Sequence, residues 1–367
     1  MFRSMRLNQN QSVDLISRIE YDKTVKEKFI NELKSGLYDK HRDFLSNPLL
    51  LTMMLLTYEQ LAEIPEKIHI FYEQAFDTLY HKHDSLKSLY KRKSYSGLPI
   101  DDFKKIFSAF CIVTYSDRKM SFSYSEIISY IDKAIQIEDI KVQSKAMFND
   151  LIKSVCIIQK DGNIFTFSHR SFQEYFAAYF ISKSQSIDTG KILDTIVKSH
   201  LRDNVINMLF ELNKEQIETK WIIPRLQDSL SKCKNPFDSH DIIGFLSVFY
   251  DAFRLHDDGI GLQFSDNKPL GHFSSGLHRL YRNESDIYFK NSDTEEEVEK
   301  KRKKELDIFL THVESHDPNQ SILFSELTGD LAWLLETGIP EYCEKKCKFM
   351  EHLHKKLSDK YLEKNQA

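Results

Sequence analysis

The hydrophobic period changes abruptly at one point, and that point organises the reading of the chain. Phe165 and Phe167 alternate with Thr166 and Ser168, the pattern of a half-buried strand. From Ser171 onward the apolar residues Phe172, Tyr175, Phe176, Tyr179 and Phe180 fall at helical spacing. A short strand over residues 164–168 therefore runs directly into a helix over 170–184. Ser168 is positioned to cap that helix, with His169 in its first turn. Residues 156–159 alternate as well, and the intervening Lys160-Asp161-Gly162-Asn163 carries the Asp-Gly signal of a hairpin turn.

Three helices are predicted before this hairpin. Residues 100–115 put Phe103, Ile106, Phe107, Phe110 and Cys111 on one side. Ser123, with Ser125 and Glu126 after it, starts a second helix over 124–135, and a third covers 147–154. Three helices followed by a β-hairpin is the winged-helix order. Upstream, residues 1–7 read as a strand, and 13–19, 24–33, 47–61 and 65–83 as helices of a small bundle. Asn47 is a good N-cap and Pro48 a good first helical residue. The run that follows is apolar on every face, so its helix is predicted to be buried. The next helix carries Ile68, Phe71, Ala75 and Leu79 on one stripe. A polar, basic stretch over 84–97 separates bundle from winged helix.

Beyond residue 184 the pattern predicts helices over 192–199, 202–212, 214–231, 239–254, 322–336 and 341–362, with an irregular Gly-rich segment over 259–275. Residues 292–314 form a charged helix in which Glu296–Lys300, Glu297–Lys301 and Glu299–Lys303 are favourable i,i+4 pairs, a solvated face. No internal repeat is evident, which argues against a solenoid. The predicted fold is mainly α: a helical bundle (1–84), a winged-helix domain (98–184), and a C-terminal helical part divided into 185–290 and 291–367.

Composition agrees with that picture. With 367 residues, 41% apolar and 29% charged, the chain has material for two to three globular domains. Only 11 Gly and 8 Pro favour helices over a β-sandwich, and 26 Phe with 17 Tyr predict aromatic-rich cores. A net charge of −4 gives no bulk attraction to nucleic acid. The longest apolar run, residues 48–56, is too short to span a membrane. The N-terminal Met-Phe-Arg-Ser-Met-Arg lacks a signal-peptide core. Five scattered Cys fit a reducing cytoplasm.

Several chemistries can be set aside. Cys343 and Cys347 precede His352 and His354, but the two His project from different helix faces, so no metal site is expected. The third helix of the winged-helix region, from Lys145, has two Lys, one Asp and no Arg, a poor phosphate-contacting face, so nucleic-acid binding is not expected. The basic loop over 87–93 reads as a solvated linker. His169 and Ser171, two apart in a helical turn, are expected to face away from each other and form no nucleophile–base pair; Glu174 is expected at the surface or a domain contact. No G-x-x-x-x-G-K-[ST] occurs, and no apolar strand ends in paired acids. Phosphoryl transfer needs both, so these residues are not expected to act as an ATP-hydrolysing enzyme.

Two motifs carry a family resemblance. The run Phe165-Thr166-Phe167-Ser168-His169-Arg170-Ser171-Phe172-Gln173-Glu174-Tyr175-Phe176-Ala177-Ala178 is similar to the end of the winged-helix domain in NACHT-type signalling NTPases, the STAND class. Asn47-Pro48-Leu49-Leu50-Leu51 resembles the segment that opens that family's small helical domain. The order also matches, and the likeness covers residues 1–184, half the chain. It implies that His169 contacts the terminal phosphate of bound ADP and Pro48 packs on adenine, with Asn47 and Ser168 in support. It implies a separate NTPase core, upstream of Met1 or on another chain, without which ADP or ATP would not be held. The chain would then be the regulatory half of a switch. ADP keeps it closed, a trigger sensed by residues 185–367 releases it, and exchange to ATP drives homo-oligomerisation. In bacteria such proteins commonly serve antiphage defence. The alternative is a stand-alone winged-helix adaptor that binds nucleic acid or a protein partner.

Overall fold

The computed structural model describes residues 6–58, 68–81, 94–184, 188–199, 204–256, 259–290, 293–313 and 321–366. The chain is mainly helical and divides into two compact units, Met1–Ser184 and Gln185–Ala367. No helix among the described residues is long and apolar enough to cross a membrane.

The first unit opens with α1 (Gln9–Arg18), α2 (Lys23–Glu32), α3 (Tyr38–Lys40), α4 (Arg42–Leu45), α5 (Pro48–Tyr58) and α6 (Ile68–His81). Side-chain caps start the first two: Asn8 and Gln11 form a reciprocal capping box, and Asp22 accepts the Val25 N–H. As its all-round apolar pattern predicts, α5 buries Leu50, Leu51, Met53, Met54 and Leu55. The strand expected over 1–7 is absent at Arg6 and Leu7. Leu7 instead donates its N–H to the Ser46 carbonyl at 2.8 Å and accepts the Tyr38 hydroxyl at 2.5 Å. Residues 1–5, 59–67 and 82–93, which include most of the predicted basic linker, lie outside the described residues.

A winged-helix arrangement completes the unit: α7 (Ile100–Ser116), β1 (Ser121–Phe122), α8 (Tyr124–Glu138), α9 (Ser144–Asn149) continued by a π turn to Ser154, β2 (Ile158–Asp161), β3 (Ile164–Phe167) and α10 (Arg170–Lys183). The strands run antiparallel in the order β1-β3-β2, with Phe122 opposite Phe165 and Ile158 opposite Phe167. Two residues are too few to show alternation, so β1 left no signal in the sequence. Ser123 and Glu126 form the capping box that starts α8. Asp150, buried, accepts the backbone N–H groups of Tyr95 (2.9 Å) and Ser96 (2.8 Å) and so ties that segment to the third helix. Bundle and winged helix share an aromatic core. Phe76 of α6 meets Phe176 of α10 at 4.8 Å, and Phe176 meets Phe107 of α7 at 4.7 Å. Each fully buried Phe contributes on the order of 2–3 kcal/mol.

The second unit contains α11 (Thr189–Ser199), α12 (Val205–Leu212), α13 (Lys214–Ile217), a π turn (Glu218–Ile222), α14 (Ile223–Asp238), α15 (Ile242–Ser247), β4 (Ala252–His256), β5 (Gly259–Gln263), α16 (Pro269–Leu280), α17 (Arg282–Phe289), α18 (Glu295–His312), β6 (Ser321–Leu323) and α19 (Ile339–Gln366). Three predictions fail here. The helix expected over 239–254 ends at Ser247 and becomes β4; the irregular segment over 259–275 is β5 and the start of α16; the helix expected over 322–336 is β6 and two 3-10 turns. β4 and β5 pair as a local hairpin, with His256 opposite Gly259 and Phe253 opposite Leu262, whereas β6 joins β4 from far along the chain, with Phe253 opposite Ile322, a partnership no local window contains. On α18 the Glu296–Lys300 pair forms at 2.8 Å. Glu297 instead turns back to cap Thr294, and Lys301 reaches Asp293.

Two buried charges hold this unit together. The Glu218 carboxylate, fully buried, accepts from Tyr281 (2.6 Å), Tyr361 (2.5 Å) and Lys360 (2.5 Å). Lys346, equally enclosed, donates to Ser274 (2.6 Å), Tyr250 (3.2 Å) and Tyr342 (3.3 Å), and sits 4.3 Å from the centre of the Phe249 ring.

Candidate functional site

The corner between α4 and α5 is built by Asn47. Its Oδ1 accepts the N–H groups of Leu49 (2.9 Å) and Leu50 (3.2 Å), and Pro48 takes the first helical position, where no N–H is needed. Pro48 is half-buried. The Leu7–Ser46 hydrogen bond fixes Arg6 and Leu7 beside this corner.

At the head of α10 the structure corrects the predicted cap. Ser168 does not cap the helix: its Oγ donates to the Cys156 carbonyl at 2.7 Å, and its N–H to the Ile157 carbonyl at 2.7 Å, across the sheet. His169 is itself the N-cap, with extended backbone (φ −152°, ψ 137°), and its Nδ1 accepts the Ser171 N–H at 3.2 Å. Because His169 lies outside the helix, the expectation that it faces away from Ser171 is also wrong. Nδ1 and the Ser171 Oγ are 2.5 Å apart. Glu174, expected at the surface or a domain contact, is buried, and its carboxylate takes Arg170 Nε at 2.7 Å.

Tyr72, which no motif marks, joins the two motifs. Its ring stands edge-on to Phe44 (5.4 Å) of α4, edge-on to Phe172 (5.6 Å), and stacked on Tyr175 (5.3 Å) of α10. The Asn47–Pro48 corner and the His169 motif are thus joined through the ring contacts of Phe44, Tyr72 and Phe172. Arg6 connects them independently. It is held at the corner by its neighbour Leu7, and its charge reaches His169. Burial first, and the Arg6 charge second, hold the His169 imidazole below its ordinary pKa, so it is neutral at pH 7.

The geometry fixes the tautomer. A backbone N–H can only donate, so the Nδ1 facing it carries the lone pair, and the proton of the neutral ring lies on Nε2. The ring therefore offers a hydrogen-bond donor at a helix N-terminus beside an arginine, an arrangement that suits an anionic oxygen. Nucleophilic chemistry at Ser171 is poorly served: the residue is only 6% exposed.

Elsewhere, the sequence candidates for metal binding are dispersed. Cys343 and Cys347 are buried with Cys233, and burial drives the three thiols up, to about 12 for Cys343 and Cys233 and about 11 for Cys347, so they stay protonated. His352 is exposed, its ring 6.0 Å from that of Tyr288. Among the described residues no group of three or more His, Cys, Asp or Glu is arranged to hold a metal ion. The basic loop over 87–93 lies outside the described residues.

No protein-family model matches this chain, and no curated protein matches it at a significant level.

Proposed function

We propose that this chain is the regulatory portion of a NACHT-type STAND switch, in which Pro48 and His169 contact an adenine nucleotide whose phosphate cradle comes from an NTPase core. The observation that carries this reading is the convergence of the two motifs: Tyr72 spans from Phe44, in the helix before the Asn47–Pro48 corner, to Phe172, in the first turn of the helix that His169 caps. A neutral His169 that presents Nε2–H, with Arg6 beside it, suits the terminal phosphate of ADP. Pro48, half-buried at the corner, suits the adenine face. The ligand would then bridge core and regulatory portion and add its binding energy to the closed state only. A trigger acting on residues 185–367 would release that state, exchange to ATP would follow, and the protein would oligomerise. The resemblance points to a cytoplasmic role in bacterial defence against phage. The chain by itself carries no phosphate loop and is not proposed to hydrolyse ATP.

The test is ADP affinity, by calorimetry, of a complex between the full chain and an NTPase core. A hydrogen bond to a charged group contributes roughly 1.5–3 kcal/mol, so His169→Ala is expected to weaken ADP roughly 10- to 100-fold. Unchanged affinity would reject the assignment of His169 to the phosphate.

A further inference from the structure

We propose that residues 358–366, the last turns of α19, form a strap that charge closes over Glu215, Glu218 and Glu284, and that this strap opens while the rest of the second unit stays folded. The strap lies within the second unit and stands apart from the nucleotide reading.

α19 is held in two different ways along its length. Its middle turns are fixed by burial: Phe349, Met350, Leu353 and Leu357 are all enclosed, and the Phe349 ring meets those of His278 (5.0 Å) and Phe289 (6.1 Å). The buried cation of that stretch, Lys346, donates to the neutral oxygens of Ser274, Tyr250 and Tyr342, out of reach of dissolved ions. Beyond Leu357 the pattern changes. Tyr361 is the one described side chain there that is buried, and Leu362 is 60% exposed. A row of lysines holds the helix instead. Lys356, Lys360 and Lys364 are spaced four apart, so they share one face at intervals of about 6 Å along the axis. Each takes an acid from another element. Lys356 meets Glu284 of α17 at 2.8 Å, Lys360 meets Glu218 of the π turn at 2.5 Å, and Lys364 meets Glu215 of α13.

The three pairs are unequal. Glu218 is fully buried and accepts the Tyr361 hydroxyl as well as Lys360, so it is the clasp, closed by charge-assisted hydrogen bonds. The outer pairs are open to water, with Lys356 and Lys364 more than half exposed, and dissolved salt screens them. Releasing the strap breaks these contacts and uncovers Tyr361, but leaves the apolar contacts of Phe349, Met350 and Leu353 in place, so it costs less than unfolding the unit. It also uncovers Glu218 and the Tyr281 hydroxyl bonded to it. The end of the chain is thus a charge-gated part of an otherwise apolar assembly.

The experiment is native-state hydrogen exchange of the full chain, read by mass spectrometry on fragments covering 343–353 and 358–366 and corrected for intrinsic rates. The substitutions lie on the partners and not on α19, so any change in 358–366 has to pass through the contacts. Glu218→Gln is expected to speed exchange of 358–366 roughly 10- to 100-fold, the loss of hydrogen bonds to a charged group. Glu215→Gln and Glu284→Gln should each speed it roughly two- to fivefold, and so should raising KCl from about 0.1 M to about 1 M, which shortens the screening length from about 10 to about 3 Å. Phe253→Leu, in the distant β4, should speed exchange of 343–353 and leave 358–366 unchanged. If Phe253→Leu speeds both fragments by the same factor, the strap does not open by itself and the proposal is overturned. Exchange of 358–366 that ignores the three Glu substitutions and the salt would overturn it equally, because charge would not be what closes the strap. If Glu218→Gln fails to fold, the two outer substitutions and the salt series still decide.

Discussion

Acidification from pH 7 to pH 5 is expected to destabilise the second unit through His278. Its ring stacks on Phe349 at 5.0 Å, meets the edge of Phe289 at 4.9 Å, and sets Nδ1 2.6 Å from the Ser285 Oγ. Burial first, and the charge of Lys346 second, lower its pKa from 6.5 to about 4. The unfolded chain therefore takes up this proton near pH 6.5, whereas the folded chain resists until about pH 4. Between those values the unfolded state binds more protons, so stability falls as the pH drops below 6.5, and the loss is complete below about 4. The separation of about 2.5 pH units corresponds to about 3 kcal/mol, of which about 2 kcal/mol is lost by pH 5. Both tryptophans of the chain, Trp221 and Trp333, belong to the second unit, so their fluorescence during urea unfolding reads that unit alone. His278→Gln removes the titration. The wild type should lose about 2 kcal/mol more than His278→Gln between pH 7 and pH 5. His272 is also held below its ordinary pKa by burial, but it titrates in both proteins and cancels. Equal losses, within about 0.5 kcal/mol, would mean that His278 is not the sheltered neutral ring described above.

Glu218→Ala removes the acceptor shared by Tyr281, Tyr361 and Lys360 and leaves the buried Tyr281 and Tyr361 hydroxyls without it, so it should cost the second unit about 2–4 kcal/mol in the same fluorescence assay; a loss below about 1 kcal/mol would mean that the network carries little. In the first unit, Asn47→Ala should cost about 1 kcal/mol in urea unfolding followed by circular dichroism, and Asn47→Gly only a few tenths. Equal costs for the two would show that the Asn47 side chain is not the cap of α5.

Much of the first unit was legible in the sequence, because the forces that start its elements are local. Asn47 and Pro48 open α5 with groups one to three residues away, Ser123 and Glu126 close a capping box within one turn, and the Phe165–Phe167 alternation followed by the Phe172, Tyr175, Phe176 stripe marks β3 and α10 without reference to anything distant. The second unit was read less well. β4 and β5 form a local hairpin that the apolar run before it masked as helix, and β6 exists because Ile322 finds Phe253 far back along the chain, a partner that pattern within a short window cannot report.

The candidate site divides in the same way. Local pattern was enough to place a histidine at the head of an aromatic helix and a capped, buried helix at Pro48. Which residue caps α10 was settled by the fold, because Ser168 is captured by the Cys156 carbonyl across the sheet and His169 takes over its role. The fold also brought Tyr72 between Phe44 and Phe172, and the charge of Arg6 to bear on His169. Caps and periodicity are set by bonds along the chain, whereas the protonation and orientation of a ring are set by whatever the fold packs against it.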